Sequence, residues 1–483
     1  MDIATGGVLI AILNEKDARL LDLHSGDRVV VRDHTREITC ILDVAKSPKA
    51  VPRGQLGLFE EVLSKLKVKQ GDKVTVRFTG KPESVGHIRE KLLGKALSYQ
   101  EYYEIINDIT HDRLTDVEKT YFVSGCYTHG LSNREIIDLT RAMVETGGKL
   151  HFGKMVLDKH CIGGVPGNRT TMVVIPIVAS CGFTIPKTSS RAITSPAGTA
   201  DTMECLANVE LDEKQIKAVV KKAGACMVHG GSISLAPADD KIIEVEHPLS
   251  IDAEGQLLAS VMAKKYSVGS THVLIDIPMG KSTKAKTIAQ AKHLKKMFEM
   301  VGHNLGMKVK VVVSDGSHPI GFGVGPLLEA RDVMAVLSNS KNAPQDLREK
   351  AIEMAGTLLE LTGNVKNGAK MAREALDSGR ALIKMNQIID LQGRAGTMKL
   401  AKYSYEVHAV RSGMVISVDN EIIAKIARVA GCPDDKAAGL YLHANVGSHL
   451  TKGERFYTVY AQTEQKLALT CDVTKETTGY SIK

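Results

Sequence analysis

The stretch Asp158-Lys159-His160-Cys161-Ile162-Gly163-Gly164-Val165-Pro166-Gly167-Asn168-Arg169-Thr170-Thr171 sets glycines and hydroxyls around a cation. A second stretch, Ser189-Ser190-Arg191-Ala192-Ile193-Thr194-Ser195-Pro196-Ala197-Gly198-Thr199-Ala200-Asp201, repeats that composition. Glycine lets backbone N–H groups approach an anion closely, while hydroxyls and a cation hold its oxygens. Each stretch runs into an expected helix, whose positive end adds to the attraction. One such loop alone would read equally well as an ordinary polar connection. Two within one α/β segment imply a phosphate site.

Outward from these loops, short apolar strands alternate with helices. His272–Ile277 and Val309–Val313 read as buried strands, and Met172–Ala179 as a buried helix or strand. Strands separated by helices imply a mostly parallel sheet. Upstream, Ser98–Ile106 has a cap followed by helical apolar spacing, and Ser132-Asn133-Arg134-Glu135 is a capping box. Nearer the N-terminus Leu23–Arg32 is echoed by Val68–Arg77, an offset of 45 residues (71 − 26) between the two Gly-Asp turns. Each copy feeds a β-branched strand, and two such half-units imply a small barrel with pseudo-twofold symmetry. Beyond Ala401, the segments Val407–Val410, Gly413–Val418 and Phe456–Ala461 are strand-like, with a helix over 422–430 between them.

The expected fold is therefore multidomain α/β. An N-terminal barrel, resembling the double-psi type, covers 1–83, and a helical domain covers 84–150, joined by about 235–268. A large α/β domain with a mixed or parallel sheet covers 151–400, and an α/β C-terminal subdomain covers 401–483.

Composition narrows the function classes. A chain of 483 residues, 43% hydrophobic, has material for several cores. Its net charge of +8 comes from 63 basic and 55 acidic residues with the signs interspersed. With no Lys/Arg block and 4% aromatics there is little for a nucleic acid to stack on, so none is expected as a partner. Eight scattered cysteines without a C-x-x-C pair fit a reducing, cytoplasmic setting and suggest no metal site. Cys161 reads as a small side chain lining the first loop. Met1–Thr5 has no signal-peptide character, and no apolar run reaches the ~18 residues needed to span a bilayer, so no membrane is expected.

The run Lys159-His160-x-x-Gly163-Gly164-Val165, with Ser189-Ser190-Arg191-Ala192-Ile193 and Ala197-Gly198-Thr199-x-Asp201-x-x-Glu204, resembles the thymidine/pyrimidine-nucleoside phosphorylase family. The likeness is closer to its archaeal AMP phosphorylase branch, and it extends from about Val85 to the C-terminus. Pro196, Met203 and Cys161-Ile162 depart from the family pattern, the last removing two hydroxyls from the expected phosphate cradle. The resemblance implies phosphorolysis of AMP, and of CMP and UMP, with inorganic phosphate as co-substrate, no cofactor, and a homodimer or larger homo-oligomer. It implies that Lys159, Ser189 and Thr199 bind phosphate with Thr170 or Thr171 in support, and that His160 faces ribose or base. Gly164, Ala192 and Ile193 join the substrate-binding set, as do Ser260 and Lys264, which share one helix face four residues apart. Asp252 falls where that branch has its proton donor, although it could equally cap the following helix. A nucleotide also needs a place for its 5′-phosphate, for which Ser190, Arg191, Thr194, Ser195 and Lys284 are candidates. The site would lie in the cleft between the helical and α/β domains.

Three other readings compete. Thymidine phosphorylases contact pyrimidine carbonyls with an arginine that would fall near Val245, and Ile242–His247 contains none. A phosphoribosyltransferase of the anthranilate type would need an acidic pair for Mg²⁺ at a phosphate loop. A non-catalytic nucleotide-binding assembly protein would have lost Lys159, Asp252, Ser260 or Lys264, and all are present.

Overall fold

The computed structural model describes residues 8–192, 195–233, 235–246, 248, 251 and 253–483. The expectations placed on Ile193, Thr194 and Asp252 lie outside the described residues. The chain divides into two compact units, Met1–Thr146 with Pro237–Ala259, and Gly147–Ala236 with Ser260–Lys483.

The first unit opens with a five-stranded sheet. Its order is Leu56–Leu58, Ile10–Asn14, Glu37–Ala45, Arg28–Arg32, Thr75–Phe78, parallel between the second and third strands and antiparallel elsewhere. The repeat seen in the sequence governs its geometry. In the pair of Ile10–Asn14 with Leu56–Leu58, Ile12 faces Gly57; in the pair of Arg28–Arg32 with Thr75–Phe78, Val31 faces Val76. Both partners are 45 residues apart (57 − 12 and 76 − 31), so each pair is centred on one local twofold axis. The turn is reproduced as well. Gly26 and Gly71 both have φ +93°, a backbone that glycine adopts without strain. Asp27 accepts from the His24 N–H, and Asp72 from the Lys69 N–H, both at 2.7 Å. Ala11, Val29, Val31, Leu42 and Val62 fill the core beneath.

Helices Ser84–Leu92, Tyr99–Thr110, Asp116–His129, Asn133–Glu145 and Pro237–Glu246 belong to the same unit. Ser98, Thr115 and Ser132 each close a capping box with the glutamate three residues on. Glu135 also accepts from Lys91 Nζ at 2.8 Å and the Tyr102 hydroxyl at 2.9 Å, which ties three helices together in the interior. Burial raises this carboxyl, but Lys91 and the Ser132 and Leu97 N–H groups override it and hold the pKa down at about 2.

In the second unit Lys308–Asp315, His272–Met279 and Leu157–Cys161 form one parallel sheet, and Ile185–Ser189 with Ala225–His229 another. A parallel bridge between Val156 and Thr184 joins the two, so all five strands run the same way. The ambiguous segment Met172–Ala179 lies in a helix, Thr170–Ser180, with Pro176 inside it. It is buried along its whole length, and its side chains pack with Leu358, Leu359, Met385 and Ile388. That explains why its sequence shows no polar face. The C-terminal region is an antiparallel sheet of Gly323–Val324, Gly439–Leu442, Arg455–Ala461 and Tyr403–His408, flanked by Asn420–Ala430 and Glu464–Glu476. It borrows its edge strand from residues 323–324, well before the expected boundary at 401.

Candidate active site

Parallel strands bring their carboxyl ends to one edge of a sheet, where ligands of such folds bind. Cys161, Ser189, His229, Met279 and Asp315 mark that edge. Lys159 lies within the strand Leu157–Cys161 and is 1% exposed. Its ammonium is 3.6 Å from the Asp276 carboxylate and donates to Thr171 Oγ1 at 3.3 Å. Asp276 in turn is 3.3 Å from Lys350 Nζ and accepts from the Ser314 hydroxyl at 2.6 Å. Burial pushes the Asp276 carboxyl up, but Lys159 and Lys350 outweigh it and hold it below its ordinary range.

Past the strand, Gly163 and Gly164 take φ +93° and +94°. A Cβ on Gly164 would come within 2.9 Å of Thr283 Cα, so the loop needs glycine for space as well as conformation. No side chain caps the helix that follows, Thr170–Ser180, at its N-terminus. The two threonines differ. Thr170 donates its proton to Asn168 Oδ1 at 2.6 Å, whereas Thr171 accepts from Lys159 and so retains a proton to give. Of the pair, Thr171 has the free proton that an anionic phosphate oxygen requires. Cys161 accepts from the Asn168 amide at 3.4 Å, and burial followed by the Asp276 charge raises its thiol. It lines the loop and has no thiolate character.

On the opposite face of the same strand, Asp158 is fully buried between Lys187 (3.5 Å) and Lys265 (2.7 Å). Lys187 also donates to the Lys159 carbonyl at 3.0 Å. His160, two residues along on that face, is driven well below its ordinary pKa by burial and then by Lys187, Lys265, Lys159 and Lys264. It is a neutral imidazole at physiological pH.

The second loop is pinned by Asp201, whose Oδ2 accepts from the Ala192 N–H at 2.7 Å and the Gly198 N–H at 2.8 Å. Ser189 is half-buried and donates to the Val228 carbonyl at 3.5 Å; Ser190 and Ser195 are exposed. Arg191 is ringed by carboxylates. Its guanidinium contacts Glu204 at 2.7 and 2.9 Å, Glu210 at 2.8 Å and Asp201 at 3.3 Å. Glu204 before all others raises its pKa further. Three carboxylates thus hold the side chain expected to clamp the 5′-phosphate. Lys436 meets the same Glu204. Ser260 and Lys264 lie on the helix Glu254–Ser267, both half-buried, and Lys284 is exposed beside the buried Thr283.

Asp276, Lys187, Lys350 and Arg169 carried no expectation from the sequence, and Glu329 none beyond its place after a glycine-rich motif. Arg169 stood inside the quoted loop, and Glu329 followed the glycine-rich run Gly321–Gly325. In the structure Arg169 bonds the Glu329 carboxylate, donates to Thr199 Oγ1 at 3.1 Å and reaches the Ala197 carbonyl at 2.8 Å. Gly167 packs so tightly on the Ile320 carbonyl that a Cβ would overlap it.

Family models match three stretches. They are the glycosyl transferase family a/b domain over 153–382, the helical bundle domain of that family over 85–147, and the pyrimidine nucleoside phosphorylase C-terminal domain over 414–481. An AMP phosphorylase from Methanococcus vannielii is 43% identical across 95% of this chain and 92% of its own length. A Legionella pneumophila (strain Paris) protein, provisionally named thymidine phosphorylase, is 43% identical across 93% of this chain and 87% of its own. Among solved structures, anthranilate phosphoribosyltransferase from Thermus thermophilus superposes with a TM-score of 0.54 at 18% identity, covering 63% of this chain and 99% of that one. At that identity the likeness concerns the fold.

Proposed function

We propose, from the premise that this chain belongs to the thymidine and AMP phosphorylase family, that it is a pentosyltransferase acting on nucleoside 5′-monophosphates. The reaction is AMP + phosphate → adenine + ribose 1,5-bisphosphate, with CMP and UMP as further substrates. A phosphate oxygen attacks C1′ as the C1′–N bond breaks, and the bonding pair leaves with the base. Two demands follow: phosphate must be held beneath C1′, and the departing base must be neutralised. Holding the reactants in place lowers the barrier by several kcal/mol, and a general acid adds roughly 10²–10⁴-fold.

The observation that carries this reading is Lys159, buried at the carboxyl end of the parallel sheet below two glycines of positive φ and beside the uncapped start of Thr170–Ser180. Lys159, Thr171, Ser189 and Thr199 are assigned to phosphate, and Ser260 and Lys264 to the base. Ser190, Arg191, Thr194, Ser195 and Lys284 are assigned to the 5′-phosphate. Asp252 is assigned the proton donated to the base, which demands a carboxyl kept protonated by a water-poor site. The neutrality of His160 supports a role as hydrogen-bond partner rather than acid. The N-terminal sheet is read as a double-psi-like barrel on the strength of its twofold register, and the enzyme as a cytoplasmic homo-oligomer without a cofactor.

A thymidine phosphorylase is the second reading, favoured by the Legionella relative and opposed by Val245, which is apolar and buried in Pro237–Glu246 where an arginine would be needed. Supplying protein with phosphate and either AMP, adenosine or thymidine, and following free base by chromatography, separates the two. Base from AMP alone is expected. Base from thymidine alone would replace the first reading with the second.

A further inference from the structure

The two anion loops come from different strands, yet one side chain joins them. Arg169 ends the first loop, and its guanidinium serves three acceptors at once: the Glu329 carboxylate through Nε, Thr199 Oγ1 through one terminal nitrogen, and the Ala197 carbonyl through the other. Glu329 is itself fixed. It is buried, accepts the Gly325 N–H at 3.1 Å, and lies 3.5 Å from the Thr202 hydroxyl. Burial lifts this carboxyl above its ordinary range, and Arg169 is the largest influence opposing that.

The polarity of the Thr199 contact matters. A hydroxyl has one proton and can accept as well as donate. Arg169 has no acceptor, so Thr199 must accept from it, and its own proton is left pointing elsewhere. The unprotonated oxygens of phosphate can only accept. A threonine whose oxygen is already claimed by a guanidinium is therefore oriented to donate to an anion, as Thr171 is by Lys159.

We propose that Arg169, anchored by Glu329, is a positioning residue that aims the Thr199 hydroxyl at inorganic phosphate and sets the spacing between the two loops. This rests on the phosphorylase reading for its substrate but not on the choice of nucleotide. The planar fork is what the three acceptors require, and lysine cannot reproduce it.

The test uses the full-length protein as Arg169→Lys and Arg169→Ala. The KM for phosphate is expected to rise about tenfold in Arg169→Lys and more in Arg169→Ala, with the KM for the nucleotide changed less than about twofold. Millimolar guanidinium added to Arg169→Ala is expected to restore phosphate affinity, which a loss of packing would not allow. If Arg169→Ala does not fold, Arg169→Lys is read alone. Equal rises in both KM values, or a phosphate KM unchanged in either variant, overturn the proposal. Protection of wild-type and variant proteins by inorganic phosphate against thermal unfolding is measured in parallel. If the wild type cleaves thymidine and spares AMP, the nucleotide assignment fails while the loss of phosphate protection in the variants still stands or falls by itself.

Discussion

A lysine buried in a protein either finds an anion or loses its proton, and Lys187 lies between these outcomes. Burial is the main influence pushing its pKa down from 10.5 to about 7; Asp158 opposes that, and Lys265 and Lys159 reinforce it. The fold thus disfavours the cation, while the unfolded chain takes up the proton at its ordinary pKa. Between pH about 7 and 10.5 the unfolded state binds more protons, so the native state gains stability as pH rises across that window. Lys187→Met removes the titration. Thermal midpoints of variant and wild type at pH 6, 8 and 10 are expected to shift progressively in favour of the wild type as pH rises. A difference constant with pH would refute the assignment. None of this was readable in the sequence, because Lys187 looks like any strand lysine until Asp158 and Lys265 are seen around it. Lys159 stood out, since its loop carries the glycines and hydroxyls from which an anion site is expected, but its pairing with Asp276 did not. The motif around Arg191 was visible in the same way, but its carboxylate partners were not: Glu204 and Glu210 lie 13 and 19 residues away, and nothing in the spacing announced them.

The first loop and the helix after it are also held by close contact. Gly167 has φ +73° and has no room for a Cβ against Ile320, whose N–H also donates to the Pro166 carbonyl at 3.1 Å. Alanine there would meet both the conformational and the steric penalty, together roughly 2–4 kcal/mol. Gly167→Ala is accordingly expected to lower the unfolding free energy by that amount and to weaken phosphate protection, as read by denaturant titration with and without phosphate. A variant as stable as wild type would mean that the loop can shift without cost. Helix starts were legible at this scale, because Ser98 and Ser132 act through neighbours three residues away. Met172–Ala179 was not, because a helix surrounded on all sides has no amphipathic period, and a buried strand looks the same.

Across the whole chain, the 45-residue repeat was the most legible long-range feature, since it prescribes both the turns and which strand residues face each other. What it could not reveal is how that sheet meets the helices of its own unit. Arg28, in the strand Arg28–Arg32, is buried and donates to the Arg113 carbonyl and the Glu118 carboxylate. Glu118 also caps Asp116–His129 through Thr115, so one arginine fixes the start of a helix from the sheet. Truncating one partner of such a pair leaves the other charge buried and unpaired, a loss of about 3–5 kcal/mol, whereas replacing both by apolar groups can be nearly neutral. Arg28→Met should therefore destabilise the first unit strongly, and the double variant Arg28→Met/Glu118→Leu should recover part of the loss. The chain has no tryptophan, so calorimetry or far-ultraviolet circular dichroism is the suitable measurement. If the double variant is no more stable than the single, the loss in Arg28→Met does not come from an unpaired Glu118 charge, and the contact has little energetic weight as an ion pair.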